Sequence, residues 1–459
     1  MTDADPATET FVEQWRDHAY SCFSSGHKFC RNVCPVMGVT QDENHSPTAF
    51  HANVVAMEQG LVSLEDVARD YVHCTQCGAC ETRCPNTLMA GDFYRHRTRT
   101  VDLVKAVRAL AVDNGIEQPG WKQWVDATVA VRSEPVLDVP VEQDRVADWA
   151  DGLDLPIGGD TILFVDCEAA FYRTSLPRAV AGILRAAGVE FGLMREQWCC
   201  GGPAREMGYV DRAREFAEHN LADWRDSGVR RVIALDPHDY IAFTEDYVEY
   251  FAEPGSTKHA ADRLRRASDF AEPGSTKHAA DLRPGLHAAG YDIEVVYITE
   301  LVAELLREGR LELTVPIDAV ATYHDPCRLN KRRGIFESPR EILRAIPGLD
   351  FRDVDHVTQW AYCSGAGGGL PIERPDLTEA ISAQRLDRAA DLEVDMLVSA
   401  CVWSERPLSK AGADRGIEVR DLMELVAEAA GIDIGAAGDP RGDRPRRPAA
   451  ETSPQGGVA

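Results

Sequence analysis

The chain has 459 residues, of which 44% are hydrophobic and 27% are charged, so it is long enough for about two to four domains whose cores need no disulfides. Its 75 acidic residues outnumber its 49 basic residues and give a net charge of −26, which argues against a nucleic-acid-binding protein. No apolar run is long enough to cross a membrane, and the acidic, polar start is unlike a secretory signal peptide, so we expect a cytoplasmic protein.

The basic residues are almost all arginine, since only seven of the 49 are lysine. An acidic surface that is poor in lysine is typical of a protein from a high-salt cytoplasm, where dense carboxylates keep the protein hydrated. A GC-rich genome also favours arginine over lysine. We prefer the halophilic interpretation, and composition leaves the other one open.

The first part of the chain, residues 1–105, predicts a small α-helical domain. Residues 47–70 and 98–112 have helical periodicity, and no strand pattern is convincing. Residues 106–158 predict a linker with one short helix, because prolines stand among acidic residues there.

The rest of the chain predicts two α/β modules, over 159–250 and 318–431, because strand-like runs alternate with helical stretches in the same order. In the first module we expect strands at 161–167, 189–194 and 229–235, and helices at 177–188 and 210–226. In the second we expect strands at 319–327, 349–354 and 395–401, and helices at 338–346 and near 376–390. This alternation predicts parallel sheets, whose carboxyl edges build ligand sites.

A literal repeat separates the two modules. The segment FAEPGSTKHAAD occurs at 251–262 and again at 270–281. Repeat architectures need several units, so two copies indicate a local duplication in a polar surface loop. We therefore expect 251–317 to be a duplicated loop insertion with a connecting strand and helix, and 432–459 to be a disordered tail.

Thirteen cysteines in a chain without an export signal indicate metal or redox sites, because cytosolic thiols stay reduced. The cysteines form three groups along the chain. These are Cys22, Cys30, Cys34, Cys74, Cys77, Cys80 and Cys84; then Cys167, Cys199 and Cys200; then Cys327, Cys363 and Cys401.

The strongest motif is Cys74-x2-Cys77-x2-Cys80-x3-Cys84-Pro85, whose short gaps let one loop wrap three thiolates around a cubane cluster. Zinc is the weaker interpretation, because zinc ribbons usually pair two Cys-x2-Cys knuckles across a longer gap. In two-cluster ferredoxins the fourth cysteine binds the other cluster. The motif therefore predicts two [4Fe–4S] clusters in the helical domain.

The second cluster needs ligands from the N-terminal group, where Cys30-x3-Cys34-Pro35 repeats the ending of the motif. We assign one cluster to Cys34, Cys74, Cys77 and Cys80, and the other to Cys22, Cys30 and Cys84. His27 is a further candidate ligand, because imidazole also binds such iron. A loop histidine near the cluster, with no bond to it, is the alternative.

Each α/β module carries a cysteine followed by a glycine-rich turn. Cys199-Cys200-Gly201-Gly202-Pro203 places two adjacent thiols before glycines, so that the turn can direct both sulfurs to one cluster. The second module repeats this turn as Cys363-Ser364-Gly365-Ala366-Gly367-Gly368-Gly369, with serine in place of the second cysteine.

With these motifs the chain resembles the iron–sulfur proteins related to the D subunit of heterodisulfide reductase. That group includes the iron–sulfur subunits of glycolate oxidase and anaerobic glycerol-3-phosphate dehydrogenase. The resemblance covers about 20–105, 160–245 and 318–425. It implies an α-helical two-cluster ferredoxin-type domain followed by two α/β cysteine-rich modules, each with a Cys, a Cys-Cys-Gly and a Cys-x2-Cys.

Each copy departs from that pattern and keeps three of the five thiols. Asp236 and Asp239 replace the final pair of the first copy, and Ser364 and Ser404 stand for two thiols of the second. The resemblance thus implies one further iron–sulfur cluster or a zinc site in these modules, with an empty scaffold as the alternative. His324, just before Cys327, is either a proton donor beside that site or a structural residue.

The sequence as a whole predicts an iron–sulfur electron-transfer subunit of a cytoplasmic oxidoreductase, which is peripheral on the inner face of the membrane if its carrier lies there. A flavoprotein dehydrogenase partner would exchange electrons with a quinone or other carrier through the clusters. Residues 365–369 do not form a dinucleotide fingerprint, since the flanking strand-and-helix order and the acidic partner are missing. The alternative is a thiol–disulfide reductase with Cys327, Cys363 and Cys401 as its active site. A third, non-catalytic class is a cluster-bearing sensor or scaffold.

Overall fold

The protein structure, a computed structural model, describes residues 6–24, 26–85, 99–133, 147–251, 285–286, 291–354 and 361–434. The second copy of the predicted duplication, nearly all of the first copy and residues 435–459 of the predicted tail lie outside these ranges. Residues 432–434 do not follow the tail prediction, because Ile432 and Ile434 pack against the core of the modules.

The chain alternates helices with short strands after a purely helical start. The α-helices are α1 (Pro6–Ser24), α2 (Pro35–Thr40), α3 (Pro47–Glu58), α4 (Leu64–Tyr71), α5 (Ala79–Thr82), α6 (Thr100–Asp113), α7 (Pro119–Val131), α8 (Cys167–Phe171), α9 (Ser175–Ala186), α10 (Gly202–Glu206), α11 (Val210–Asp226), α12 (Pro237–Ile241), α13 (Tyr247–Phe251), α14 (Ile298–Arg307), α15 (Cys327–Arg333), α16 (Glu337–Ala345), α17 (Leu370–Glu373), α18 (Pro375–Ala390), α19 (Val402–Ala413) and α20 (Leu422–Ala429). The strands are β1 (Thr161–Phe164), β2 (Arg231–Ala234), β3 (Gly285–Leu286), β4 (Ile293–Tyr297), β5 (Ala319–Tyr323), β6 (Leu349–Phe351), β7 (Met396–Ser399) and β8 (Glu418–Asp421).

The N-terminal domain is helical, as predicted, and α1, α3, α4 and α6 enclose its core. The helix predicted over 47–70 is two helices. Gly60, with a positive φ of 66°, lies just after the end of α3. Ser63 starts α4 with a capping box that Asp66 completes. These are ordinary helix stop and start signals, and they override the continuous periodicity.

The predicted linker contains a packed helix. α7 begins at Pro119, whose fixed φ suits the first helical position. Its Trp121 and Val125 are buried against Met207 of the first cysteine-rich module. This part of the 106–158 segment is therefore integral to the fold.

Each cysteine-rich module is built on a four-stranded sheet, which confirms the predicted fold class. The first sheet has the order β1-β2-β4-β3, with β1, β2 and β4 parallel and the two-residue β3 antiparallel to β4. The second sheet has the order β6-β5-β7-β8 and is parallel throughout. Because β4 belongs to the first sheet, the first module extends beyond the predicted boundary at residue 250.

The two sheets have equivalent topologies. The segment 189–194, predicted as a strand, forms only isolated parallel bridges, from Ile162 to Gly192 and from Ile157 to Leu193. This segment pairs with β1 at the edge of the first sheet, which is the position that β6 has beside β5 in the second sheet. A Cβ at Gly192 would meet the carbonyl oxygen of Gly158, so the neighbouring backbone comes too close for a regular strand with side chains. In the described residues no helix combines the length and apolarity that a bilayer span requires.

Candidate metal centres

All thirteen cysteines lie in described parts of the chain, and none of them is in a disulfide bond. Eight are buried and five are half-buried. Isolated buried cysteines behave as small apolar residues, whereas thiols gathered into groups suit metal binding. The position of each thiol relative to the others therefore tests whether an iron–sulfur cluster fits.

The thiols assigned to one N-terminal cluster come from the end of α1, the loop after it and the end of the ferredoxin-type motif. Cys22, Cys30 and Cys84 lie close enough to interact electrostatically. Burial, with the charges of Cys30 and Cys84, raises the pKa of Cys22 to about 12. Such thiols ionise only when a cation is present, and cluster iron supplies that positive charge.

The thiols assigned to the other N-terminal cluster lie around the start of the ferredoxin-type motif. Cys34 is the residue before α2, whose first residue is Pro35. Burial raises the pKa of Cys34, and Cys77 and Cys74 are its interacting thiols. Cys80 lies near the thiols of both N-terminal clusters, since it interacts with Cys77, Cys74 and Cys30. The assignment of these thiols to two clusters stays a prediction. The ligand role of His27 also stays a prediction, and its ring stacks on Phe29 at 5.9 Å between centroids.

The loop that carries the motif is held in a tight conformation. Gln76 has a φ of 53°, in the left-handed region that non-glycine residues rarely adopt. Its side-chain amide donates to the carbonyl oxygen of Glu206 at 2.8 Å, which offsets the backbone strain. Gly78 has a φ of 74° and starts α5. This loop therefore depends on the first cysteine-rich module for its conformation.

The second cysteine-rich module meets the ferredoxin-type loop through Cys363. The Cys363 thiol packs against Cys327 and Cys77, and the interaction raises the pKa of Cys363 and lowers the pKa of each partner. It also lies 3.8 Å from Thr75 Oγ1. Cys77, Cys363 and Cys327 form one hydrophobic cluster with Ala79. Sequence reasoning placed these thiols in separate sites, and the fold makes the sites adjacent.

The glycine-rich turn allows this close approach. Gly368 has a φ of 67°. A Cβ there would meet the carbonyl oxygen of Cys74 and lie 2.9 Å from the carbonyl carbon of Thr75. The glycines after Cys363 therefore let two backbones touch beside the cysteines.

Replacing Gly368 with alanine is expected to lower the free energy of unfolding by more than the ~1–2 kcal/mol of left-handed backbone strain alone, because the new Cβ also pushes the Cys74 loop away. Gly334→Ala is a matched control, since Gly334 has a φ of 68° and nothing within 4 Å of its Cβ position. Chemical unfolding of both variants under anaerobic conditions measures the difference. Equal losses of stability would contradict a role for the backbone contact.

Arg108 of α6 connects all three parts of the chain. Its guanidinium is buried and donates to the carbonyl oxygens of Tyr71 (2.7 Å), Cys74 (2.8 Å), Glu206 (2.8 Å) and Gly368 (2.7 Å). Burial lowers the pKa of Arg108 to about 10, so it remains charged at neutral pH. Sequence reasoning missed this residue, because a single arginine in an amphipathic helix gives no local signal.

The remaining positions of the second module lie around Cys401, the residue that precedes α19. Ser364 and Ser404, which replace two thiols, hydrogen-bond to each other at 3.0 Å. His324 is buried, and its Nδ1 lies 3.3 Å from Arg385 Nε. Burial and the charge of Arg385 lower the pKa of His324, so it is neutral, and this contact favours the structural interpretation.

In the first module, the two aspartates that replace thiols, Asp236 and Asp239, have different surroundings. Cys167 and Cys200 both interact with Cys199. Asp239 interacts with Cys200, so it stays with its own module. Asp236 instead points to the second module, where its Oδ2 accepts from the backbone N–H of Val402 at 3.2 Å.

Comparison with protein families agrees with this arrangement. A 4Fe-4S dicluster domain matches residues 18–88, and a cysteine-rich domain matches twice, at 162–243 and 321–403. The chain belongs to the iron–sulfur proteins that combine a ferredoxin-type domain with paired cysteine-rich domains. These matches confirm the resemblance drawn from the motifs.

Two relatives of the chain are a subunit of an oxidoreductase and an oxidoreductase. The D subunit of dihydromethanophenazine:CoB–CoM heterodisulfide reductase from Methanosarcina barkeri is 29% identical over 375 residues, covering 80% of each chain. The EtfAB:quinone oxidoreductase of Syntrophomonas wolfei is 25% identical over 398 residues, covering 81% of this chain and 48% of that protein.

A solved structure shares the fold. The crystal structure of a hypothetical protein from Helicobacter pylori superimposes with a TM-score of 0.53 at 13% sequence identity. The match covers 92% of this chain and 76% of that chain. The arrangement of the helical domain and the two modules therefore occurs in an experimentally determined protein.

Proposed function

We propose that this chain is the electron-transfer subunit of an oxidoreductase. Two [4Fe–4S] clusters in the helical domain would exchange electrons with a metal centre in the second cysteine-rich module. The observation that carries the proposal is the packing of Cys363 against both Cys327 and Cys77. It brings a thiol of the ferredoxin-type motif next to the thiols of the second module.

The clusters, when bound, supply one-electron oxidation and reduction. The residues of the chain gather and bury the thiols and fix the distance between the centres. Arg108 and Gly368 hold the Cys74 loop against the second module, and electron tunnelling falls steeply with distance. Cys77 is assigned to the cluster that lies next to the second module. The cluster of Cys22, Cys30 and Cys84 would therefore be the one that exchanges electrons with a partner.

The partner that we propose is a flavoprotein dehydrogenase, with a quinone or another carrier at the opposite end of the chain of centres. The similarity to an EtfAB:quinone oxidoreductase supports this assignment. The sequence has no flavin or dinucleotide fingerprint of its own. Copurification of a flavoprotein with the full chain tests the proposal.

The second candidate is a thiol–disulfide reductase with Cys327, Cys363 and Cys401 as the active site. The similarity to a component of a heterodisulfide reductase favours it. Serine oxygens are weaker ligands than thiolates, because an alcohol ionises less readily than a thiol of pKa ~8.5. A centre held by these three cysteines, without two of the expected thiolates, would leave an iron open to substrate. Reduction of a small disulfide by the flavin-free chain distinguishes this function from the first.

Replacing Cys363 with alanine is expected to remove one EPR signal of the reduced protein while the signals of the two ferredoxin-type clusters persist. Iron content should fall in parallel. Ser399→Ala is the control, because Ser399 is buried at the end of β7 and lies outside the proposed ligand set. If the wild-type protein shows only two clusters, and Cys327, Cys363 and Cys401 are free to alkylate, the second module is a scaffold and both functions of that centre are excluded.

A further inference from the structure

The second module lacks two of its expected thiol ligands, and the serines in their place are hydrogen-bonded to each other at 3.0 Å. Cys401 interacts with one of these serines, Ser404, and also with Asp236 of the first module. Asp236, His238 and Cys401 each offer one ligand atom, and these atoms lie within 4.8 Å of one another. Asp236 is fully buried, and His238 and Cys401 are 5% and 4% exposed.

Hydrogen bonds to Asp236 position His238 and the backbone next to Cys401. Asp236 Oδ1 accepts from the backbone N–H of His238 at 2.8 Å and lies 2.8 Å from its Nδ1. Asp236 Oδ2 accepts from the N–H of Val402, the residue after Cys401, at 3.2 Å. One carboxylate thus holds the start of α12 in the first module and the start of α19 in the second.

The same contacts define the chemistry that His238 offers. A carboxylate only accepts hydrogen bonds, so Nδ1 faces Asp236 as the donor of this pair, and Nε2 is the nitrogen that a metal would bind. A histidine oriented in this way by a carboxylate is the usual arrangement of a metal-binding imidazole. Imidazole and thiolate together suit iron and zinc.

We propose that His238 and Cys401 are ligands of the metal centre of the second module, and that Asp236 is the positioning residue that orients His238. The centre is then bound by side chains from both modules. Its chemical class is a first-row transition-metal centre with mixed sulfur and nitrogen ligands. This inference rests on the proposed function in one respect, because it requires that the second module hold a metal.

The experiment compares His238→Ala, His238→Cys and Cys363→Ala in the anaerobically purified full chain. We expect His238→Ala to lose the EPR signal and the iron that Cys363→Ala loses, with the ferredoxin-type signals unchanged. His238→Cys, which supplies a thiolate in place of imidazole, should restore the metal. His219→Ala is the matched control, since His219 lies in the same module and contacts Trp198 and the carbonyl oxygen of Glu196.

Asp236→Asn tests the positioning role separately. Loss of the carboxylate partner of a metal-binding histidine is expected to weaken metal retention about 10–100-fold, which is measured by challenging the protein with EDTA and analysing the remaining metal. Full metal retention in His238→Ala, with loss in Cys363→Ala, would overturn the inference and leave the proposed function intact. Full retention in both variants would overturn both.

Discussion

Replacing Cys34 with alanine is expected to remove about half of the iron and sulfide of the N-terminal domain. Cys34 interacts with Cys77 and Cys74, whereas Cys22 interacts with Cys30 and Cys84, so each substitution should affect one cluster. A [4Fe–4S] cluster usually needs four protein ligands, and alanine provides none. Iron and sulfide analysis with EPR of the reduced protein measures the loss.

Cys22→Ala is the matched variant, since it should remove the other half of the iron. The two variants should differ in electron transfer. The Cys34 group includes Cys77, which contacts Cys363, so Cys34→Ala should prevent reduction of the second-module centre. Cys22→Ala should leave that centre reducible by dithionite and block only its reduction by a partner. Loss of both clusters in either variant would show that the two groups fold as one unit.

Local sequence patterns were sufficient to predict many of the elements and the fold class. The apolar runs at 161–167 and 229–235 contain β1 and β2, because a strand buried on both faces is continuously apolar. The helix predicted at 210–226 corresponds to α11. The prediction was wrong where one residue interrupts a pattern, as Gly60 does in 47–70 and Gly192 does in 189–194.

The contacts between modules were not predictable from the sequence. Arg108 and Glu206 are 98 residues apart, and neither belongs to a motif. Asp236 was recognised as a substituted ligand position, but its contact with the loop of Cys401 depends on how the two sheets face each other. His238 has only one local signal, the Asp-x-His spacing that lets its ring return to the carboxylate.

Replacing Glu206 with leucine is expected to lower the free energy of unfolding by about 3–5 kcal/mol. The Glu206 carboxylate forms a buried ion pair with Arg328, and their side chains are 6% and 4% exposed. It also accepts from the N–H of Gly368 at 3.1 Å. Burial alone would raise the pKa of Glu206, but the charge of Arg328 lowers it to about 2. The carboxylate is therefore ionised at neutral pH, and its removal leaves a buried cation without its carboxylate partner.

The double variant Glu206→Leu, Arg328→Met separates this effect from a loss of packing. With both charges removed, no unpaired ion remains from this pair, so much of the stability should return. Glu379→Gln is the control, because Glu379 pairs with Lys410 at the surface, where their side chains are 54% and 66% exposed and the pair contributes at most about 1 kcal/mol. Anaerobic thermal unfolding followed by circular dichroism measures all three variants. If the double variant is as unstable as Glu206→Leu, the shape of the side chains rather than the buried charge holds the three parts of the chain together. If it recovers, the instability of Glu206→Leu comes from the buried charge of Arg328 without its carboxylate, and not from lost packing.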